Sequence, residues 1–130
     1  MDKLFKTIQS LSEPYEIQIT LYPKFVVVAD ELILDLDEVL ESEKYASFLN
    51  NINDQQKESI KTLDEYIINM NNKRDKYLWT IEALRDSKEW ETIRNLANNV
   101  MDVLQIERRP PDELKNNAWY INEDHVVENK

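Results

Sequence analysis

Ile60, Leu63, Ile67, Met70, Arg74, Tyr77, Ile81 and Leu84 recur at alternating steps of three and four, a heptad stripe with seven of its eight positions apolar or aromatic. A stripe of that period is buried only if the segment is helical and a second apolar surface lies along it. Asn53, followed three residues later by Gln56, carries the side chains of a capping box and sets the helix start. Unbroken from 54 to 85, such a helix would run about 50 Å, too long to be one face of a compact ball. Its weak point is the run Asn69, Asn71, Asn72 and Arg74, where asparagine is a poor helix former and the stripe turns polar. The segment reads either as one continuous helix over 54–85 or as two arms bent near 71–74. Arg74 would then either lay its stem on apolar neighbours with its head in water, or pair with an acid from another helix and fix register.

Around this spine the pattern is mostly helical. Leu4, Phe5, Ile8 and Leu11 share one face of a first helix, with Asp2 in the first turn where negative charge suits the dipole, and Ser12-Glu13-Pro14 ends it. Residues 16–22 alternate with β-forming side chains up to Pro23, and Phe25-Val26-Val27-Val28 is apolar and β-branched, so a short β-hairpin is expected over about 16–29. From 30 to 43 the helical reading fits better than the strand reading. Leu32, Ile33, Leu36, Val39 and Leu40 fall on one side and the acids on the other, although Leu34 breaks the pattern. Tyr45, Phe48, Leu49 and Ile52 continue at helical spacing. A further helix is expected over about 87–106, capped by Asp86 with Glu89, buried along Trp90, Ile93, Ala97, Val100 and Leu104, and ended by Pro110-Pro111.

Charge separates the segments. Asp30, Glu31, Asp35, Asp37, Glu38, Glu41 and Glu43 place seven negative charges between 30 and 43 with no base among them, whereas 54–109 carries 11 acids and 10 bases. With a net charge of −10 over 130 residues, the chain is a poor match for a phosphate backbone, whose binding needs Lys and Arg, and no direct nucleic-acid contact is expected. The sequence contains no glycine, which disfavours glycine-loop phosphate cradles, and no cysteine, which removes disulfides and thiolate chemistry. No apolar run approaches a membrane span and no signal segment stands at the start, so a cytoplasmic protein without membrane contact is expected.

Candidate chemistry is sparse. Leu32-Ile33-Leu34-Asp35-Leu36-Asp37-Glu38-Val39-Leu40 resembles the nucleophile loop of haloacid-dehalogenase-type phosphatases over nine residues. The resemblance implies Asp35 as nucleophile, Asp37 as general acid and both as Mg²⁺ ligands. Glu38 stands where that family has glycine, the downstream pattern lacks alternating strands, and Glu38 with Glu41 would repel a phosphate. The acidic outer face of an amphipathic helix accounts for the same residues, so no catalytic residue, metal or cofactor is assigned. His125 is the single histidine, and one histidine without cysteine assembles neither a triad nor a zinc site.

The resulting expectation is a mainly α protein, a helical bundle or elongated helical hairpin built on the 54–85 helix, with one helical domain over 1–109 and an extended tail over 110–130. The function expected is non-enzymatic: an adaptor, chaperone or assembly subunit binding a protein partner through helical faces and the tail aromatics Trp119, Tyr120 and Ile121. The alternative is an acidic inhibitor, such as an immunity protein, antitoxin or nucleic-acid mimic, that blocks a basic site through Asp35, Asp37, Glu38 and Glu41. The 54–85 helix could also pair two copies of the chain.

Overall fold

A computed structural model describes residues 1–115. Seven α-helices follow one another: α1 Asp2–Ser12, α2 Tyr15–Gln18, α3 Val28–Leu40, α4 Glu43–Leu49, α5 Asp54–Asn72, α6 Ile81–Asp86 and α7 Lys88–Leu104, with single 3₁₀ turns at Lys76–Trp79 and Pro111–Leu114. In space α1 packs between α3 and α7, and α7 packs between α1 and α5. Buried apolar side chains from position 4 to position 114 form one cluster, with Leu4, Ile8, Leu36, Leu63, Trp90 and Ile93 among those sealed from water. The chain is thus mainly helical and bundle-like, as its periodicity predicts.

The stripe on 60–84 is realised only in part. Ile60, Leu63, Ile67 and Met70 are buried, and α5 lies along α7. After Asn72 the helix stops: Arg74 takes φ 54°, its N–H donating to the Asn71 carbonyl at 3.1 Å, and the Asp75 carboxylate accepts from the Tyr77 N–H at 3.1 Å to start the 3₁₀ turn. The helix over 54–85 is therefore broken at the asparagine-rich run. Beyond the break Tyr77 and Ile81 are exposed while Leu78 and Leu84 are buried, so the stripe changes phase. Arg74 sits at the bend itself, exposed, and forms no ion pair among the described residues.

The expected β-hairpin over 16–29 is absent; no strand occurs among the described residues. Strand alternation would put Leu21 and Tyr22 on opposite faces, yet both are buried side by side. What overrides β-propensity here is Gln18. It is fully buried, and its Nε2 donates to the carbonyls of Ser10 and Leu11 at 3.1 and 3.2 Å, in the last turn of α1 where carbonyls run short of helical donors. That anchor folds 15–18 into a helical turn, and Val28, expected to end a strand, begins α3.

Helix starts follow the caps closely. The Asn53–Gln56 capping box forms, with Asn53 Oδ1 accepting from the Gln56 N–H at 2.8 Å and Gln56 Oε1 accepting from the Asn53 N–H at 2.9 Å. Ser87, not Asp86, caps α7, accepting from the Trp90 N–H at 3.1 Å. Asp86 is instead the last residue of α6, its carboxylate held by Arg85 at 2.8 and 2.9 Å. At the start of the segment expected as a tail, Pro111–Leu114 makes a single 3₁₀ turn against α1 and buries Leu114. Trp119, Tyr120 and Ile121 lie outside the described residues.

Candidate functional site

Helix α3 distributes its acids over two stripes, because residues three and four apart share a face. One stripe turns inward to the rest of the chain: Tyr22 donates its hydroxyl to Asp35, and Lys3 pairs with Glu38. The other carries Asp30, Leu34, Asp37 and Glu41. The four acids expected to act together are therefore split, with Asp35 and Glu38 tied to residues of this chain and Asp37 and Glu41 on the other side. Asp35 and Asp37 lie on one helix instead of a strand-to-loop junction, so the geometry implied by the phosphatase resemblance is not formed. Among the described residues no group of three His, Cys, Asp or Glu side chains converges to hold a metal ion.

The Asp30–Asp37 stripe borders a depression of about 380 Å³ between α3 and α5, lined also by Ile33, Leu34, Ile67, Ile68 and Trp79. A second depression of about 480 Å³ lies between the 19–29 segment and α6, with Ile19, Val27, Trp79 and Ile81 in its wall. The two meet at Trp79, which lines both. Seven large apolar side chains are exposed among the described residues, and five of them, Ile19, Val27, Leu34, Ile68 and Ile81, belong to this pair of depressions. Leu34 keeps 56%, Val27 52%, Ile68 49% and Ile81 48% of its surface in water. Scattered exposed apolar residues need no explanation; a cluster of them in concave surface marks a contact site.

Trp79 is held in place from beneath. Its ring stands edge-on to that of Trp90 at 6.3 Å and 87°, and the buried Trp90 donates its indole N–H to the Leu78 carbonyl at 2.8 Å. An aromatic fixed in this way loses little freedom when something docks on it.

The carboxylates beside the α3–α5 depression are uncompensated. None of the ion pairs among the described residues involves Asp30, Asp37 or Asp64. Partial burial raises the pKa of all three above the usual aspartate range. The Glu31 charge adds to the shift at Asp30, Asp64 and Glu41 add to it at Asp37, and Glu65 adds to it at Asp64. Lys57 and Lys61 line a neighbouring depression with Asp64 but form no ion pair with it.

A second polar assembly has the opposite character, since every member is engaged. Gln9 Nε2 donates to Glu13 at 2.8 Å and to the Arg109 carbonyl at 2.9 Å, while the Arg109 N–H donates back to Gln9 Oε1 at 2.9 Å. Arg108 Nη1 donates to Glu13 at 3.3 Å, and Arg109 pairs with Asp2. Arg94 donates to Gln18 Oε1 at 3.0 and 3.3 Å and also to the Leu84 carbonyl. Satisfied networks of this kind specify a fold, and this one closes the C-terminal segment onto α1.

Comparison of the chain with family models, with curated proteins and with solved structures gives no match. The functional reading therefore rests on the groove itself. Sequence periodicity singles out Asp37 and Glu41 at its border but not Leu34, Ile68 and Trp79. The available signal was Leu34, an apolar residue on the polar face of its own helix.

Proposed function

We propose that this chain is a non-catalytic protein-binding module, of the adaptor, chaperone or assembly-subunit kind, whose docking face is the paired depression centred on Trp79. The observation that carries the reading is the gathering of five of the seven exposed large apolar side chains around one buttressed tryptophan. Concave apolar surface with a fixed aromatic anchor is where binding energy concentrates in protein interfaces. The apolar positions of the 60–70 stripe are spent on contacts within the chain, so pairing of two copies through α5 would have to use other side chains. Likewise, Asp35 and Glu38 have partners in the chain, so an acidic-inhibitor surface would centre on Asp30, Asp37 and Glu41 instead. The proposed tail would begin beyond the buried Leu114, which belongs to the core of the helical unit, and a cytoplasmic setting remains a proposal of the same kind.

The test is site-specific photo-crosslinking in the source cell. A photoreactive side chain at Leu34 or Ile68 is expected to yield discrete protein adducts that Val27→Asp or Ile81→Asp removes. The same group at Asn95, outside both depressions, is expected to yield none. Equal adducts at all three positions, or adducts untouched by the aspartate substitutions, would overturn the reading.

A further inference from the structure

The depression between α3 and α5 combines two properties that constrain what it takes. Ile33, Leu34, Ile67, Ile68 and Trp79 give it apolar surface, and the rest of its lining is two acids, Asp30 and Asp37, and one amide, Asn71, with no base. A third acid, Asp64, stands close enough to Asp37 to raise its pKa, and none of the three has an ion-pair partner among the described residues. Asp30 and Asp37 are exposed and Asp64 is half-buried; the Asp64 and Glu41 charges repel that of Asp37, and an arriving cation would relieve that repulsion.

Three occupants are distinguishable by charge. A second copy using the same face would bring Asp30, Asp37 and Asp64 against their own counterparts, adding repulsion where apolar contact is gained. Residues 116–130 of this chain offer Trp119, Tyr120 and Ile121, but they carry three acids, Glu123, Asp124 and Glu128, against one base, Lys130, a balance of 1 − 3 = −2 with His125 neutral. A cationic segment gains on both counts: its apolar side chains cover Leu34, Ile68 and Trp79, and its Lys or Arg heads meet the carboxylates. An amphipathic helix with one apolar and one basic face has that composition. Resting on the docking reading above, we infer that the α3–α5 groove binds a basic amphipathic segment of a partner protein.

The experiment uses the full chain and three synthetic peptides: an 18-residue amphipathic helix with a Leu/Trp apolar face and a Lys polar face, the same helix with Glu in place of Lys, and residues 116–130. Binding is followed by calorimetry and by NMR shifts at 50 and 500 mM NaCl. The Lys peptide is expected to bind, to shift Leu34, Ile68 and Trp79 signals, and to weaken at least tenfold between the two salts. The Glu peptide and the 116–130 peptide are expected not to bind. Leu34→Asp, at an exposed position that the fold does not need, should weaken the Lys peptide tenfold or more although it adds negative charge. General attraction to an acidic protein would produce the opposite change. Asp30→Asn combined with Asp37→Asn and Asp64→Asn should leave weak binding with little salt dependence. Equal binding of Lys and Glu peptides, binding of the 116–130 peptide at this site, tighter binding by Leu34→Asp, or no binding of the Lys peptide each overturns the inference. If Leu34 crosslinks persist in the cell under any of those results, the docking reading stands and only the nature of the occupant is wrong.

Discussion

A chain without glycine still has to end its helices, and among the described residues it does so twice with a residue that geometry disfavours. Arg74 sits at φ 54° after α5, and Gln105 at φ 57°, ψ 42° after α7, where the Ile106 N–H reaches back to the Met101 carbonyl at 2.9 Å in a Schellman-type closure. A side chain with a Cβ is penalised by about 1–2 kcal/mol in the left-handed region. Glycine avoids that cost but gives up about 0.5–1 kcal/mol more chain entropy on folding. The difference predicts that Gln105→Gly and Arg74→Gly each stabilise the protein by about 0.5–1 kcal/mol. Both side chains are exposed, so little packing is lost. Past the C-termini of two different helices and with no shared hydrogen-bond partner, the two effects should add to about 1–2 kcal/mol. Equilibrium urea unfolding followed by far-UV circular dichroism measures this as a higher midpoint at unchanged slope. Lys61→Gly, inside α5 where the backbone is right-handed, serves as the control and should cost about 0.5–1 kcal/mol. If the two terminal glycines lower the midpoint as Lys61→Gly does, the left-handed closures are not what ends these helices, and the reasoning fails.

Other outcomes follow from the same structure. Ser87→Ala should cost about 1 kcal/mol through loss of the cap on the Trp90 N–H, while Asp86→Ala should change the urea midpoint far less. Trp90→Phe should cost about 2–4 kcal/mol, leaving both a void and an unpaired Leu78 carbonyl, and should weaken the near-ultraviolet dichroism of Trp79. Gln18→Ala and Arg94→Ala should each destabilise, and their double-mutant cycle should show a coupling of about 1–2 kcal/mol, because removing Arg94 leaves the buried Gln18 Oε1 without its donor. Asp37→Asn and Asp64→Asn should stabilise at neutral pH by about 0.2–0.5 kcal/mol, held small by solvent screening. Their folded-state pKa values are raised, so the penalty is present above the folded pKa, is relieved as pH falls through it, and vanishes below the unfolded value near about 3.9. The difference in urea midpoint between variant and parent should accordingly shrink to nothing in acid; a difference that grew there would refute the assignment.

Helix existence was legible wherever period and cap agreed. The Asn53–Gln56 box, the Leu4–Ile8–Leu11 face, the α3 amphipathicity and the burial of Trp90 all follow from spacing, and the asparagine run flagged the break after Asn72. Period alone did not reveal that residues 16–22, alternating as a strand should, would be captured by α1. Gln18 looks like any polar residue until the last-turn carbonyls of Ser10 and Leu11 stand beside it. The acidic face was legible as composition, but its division into an engaged and an uncompensated stripe depends on Tyr22 and Lys3, which come from other parts of the chain. The groove was legible only as an anomaly, Leu34 on a polar face. Ile68 and Trp79 acquire meaning only once α3, α5 and the turn after Arg74 are brought together.

The order of packing in this bundle bears on its synthesis. Helix α1 leaves the ribosome well before the helix it lies against most fully, α7, which is not complete until residue 104. At translation rates of about 5–20 residues per second, Leu4, Ile8 and Leu11 wait about 5–20 s with only α3 to cover them. During that interval the nascent chain presents a greasy helix, and a chaperone that binds such helices would meet α1 before α7 does.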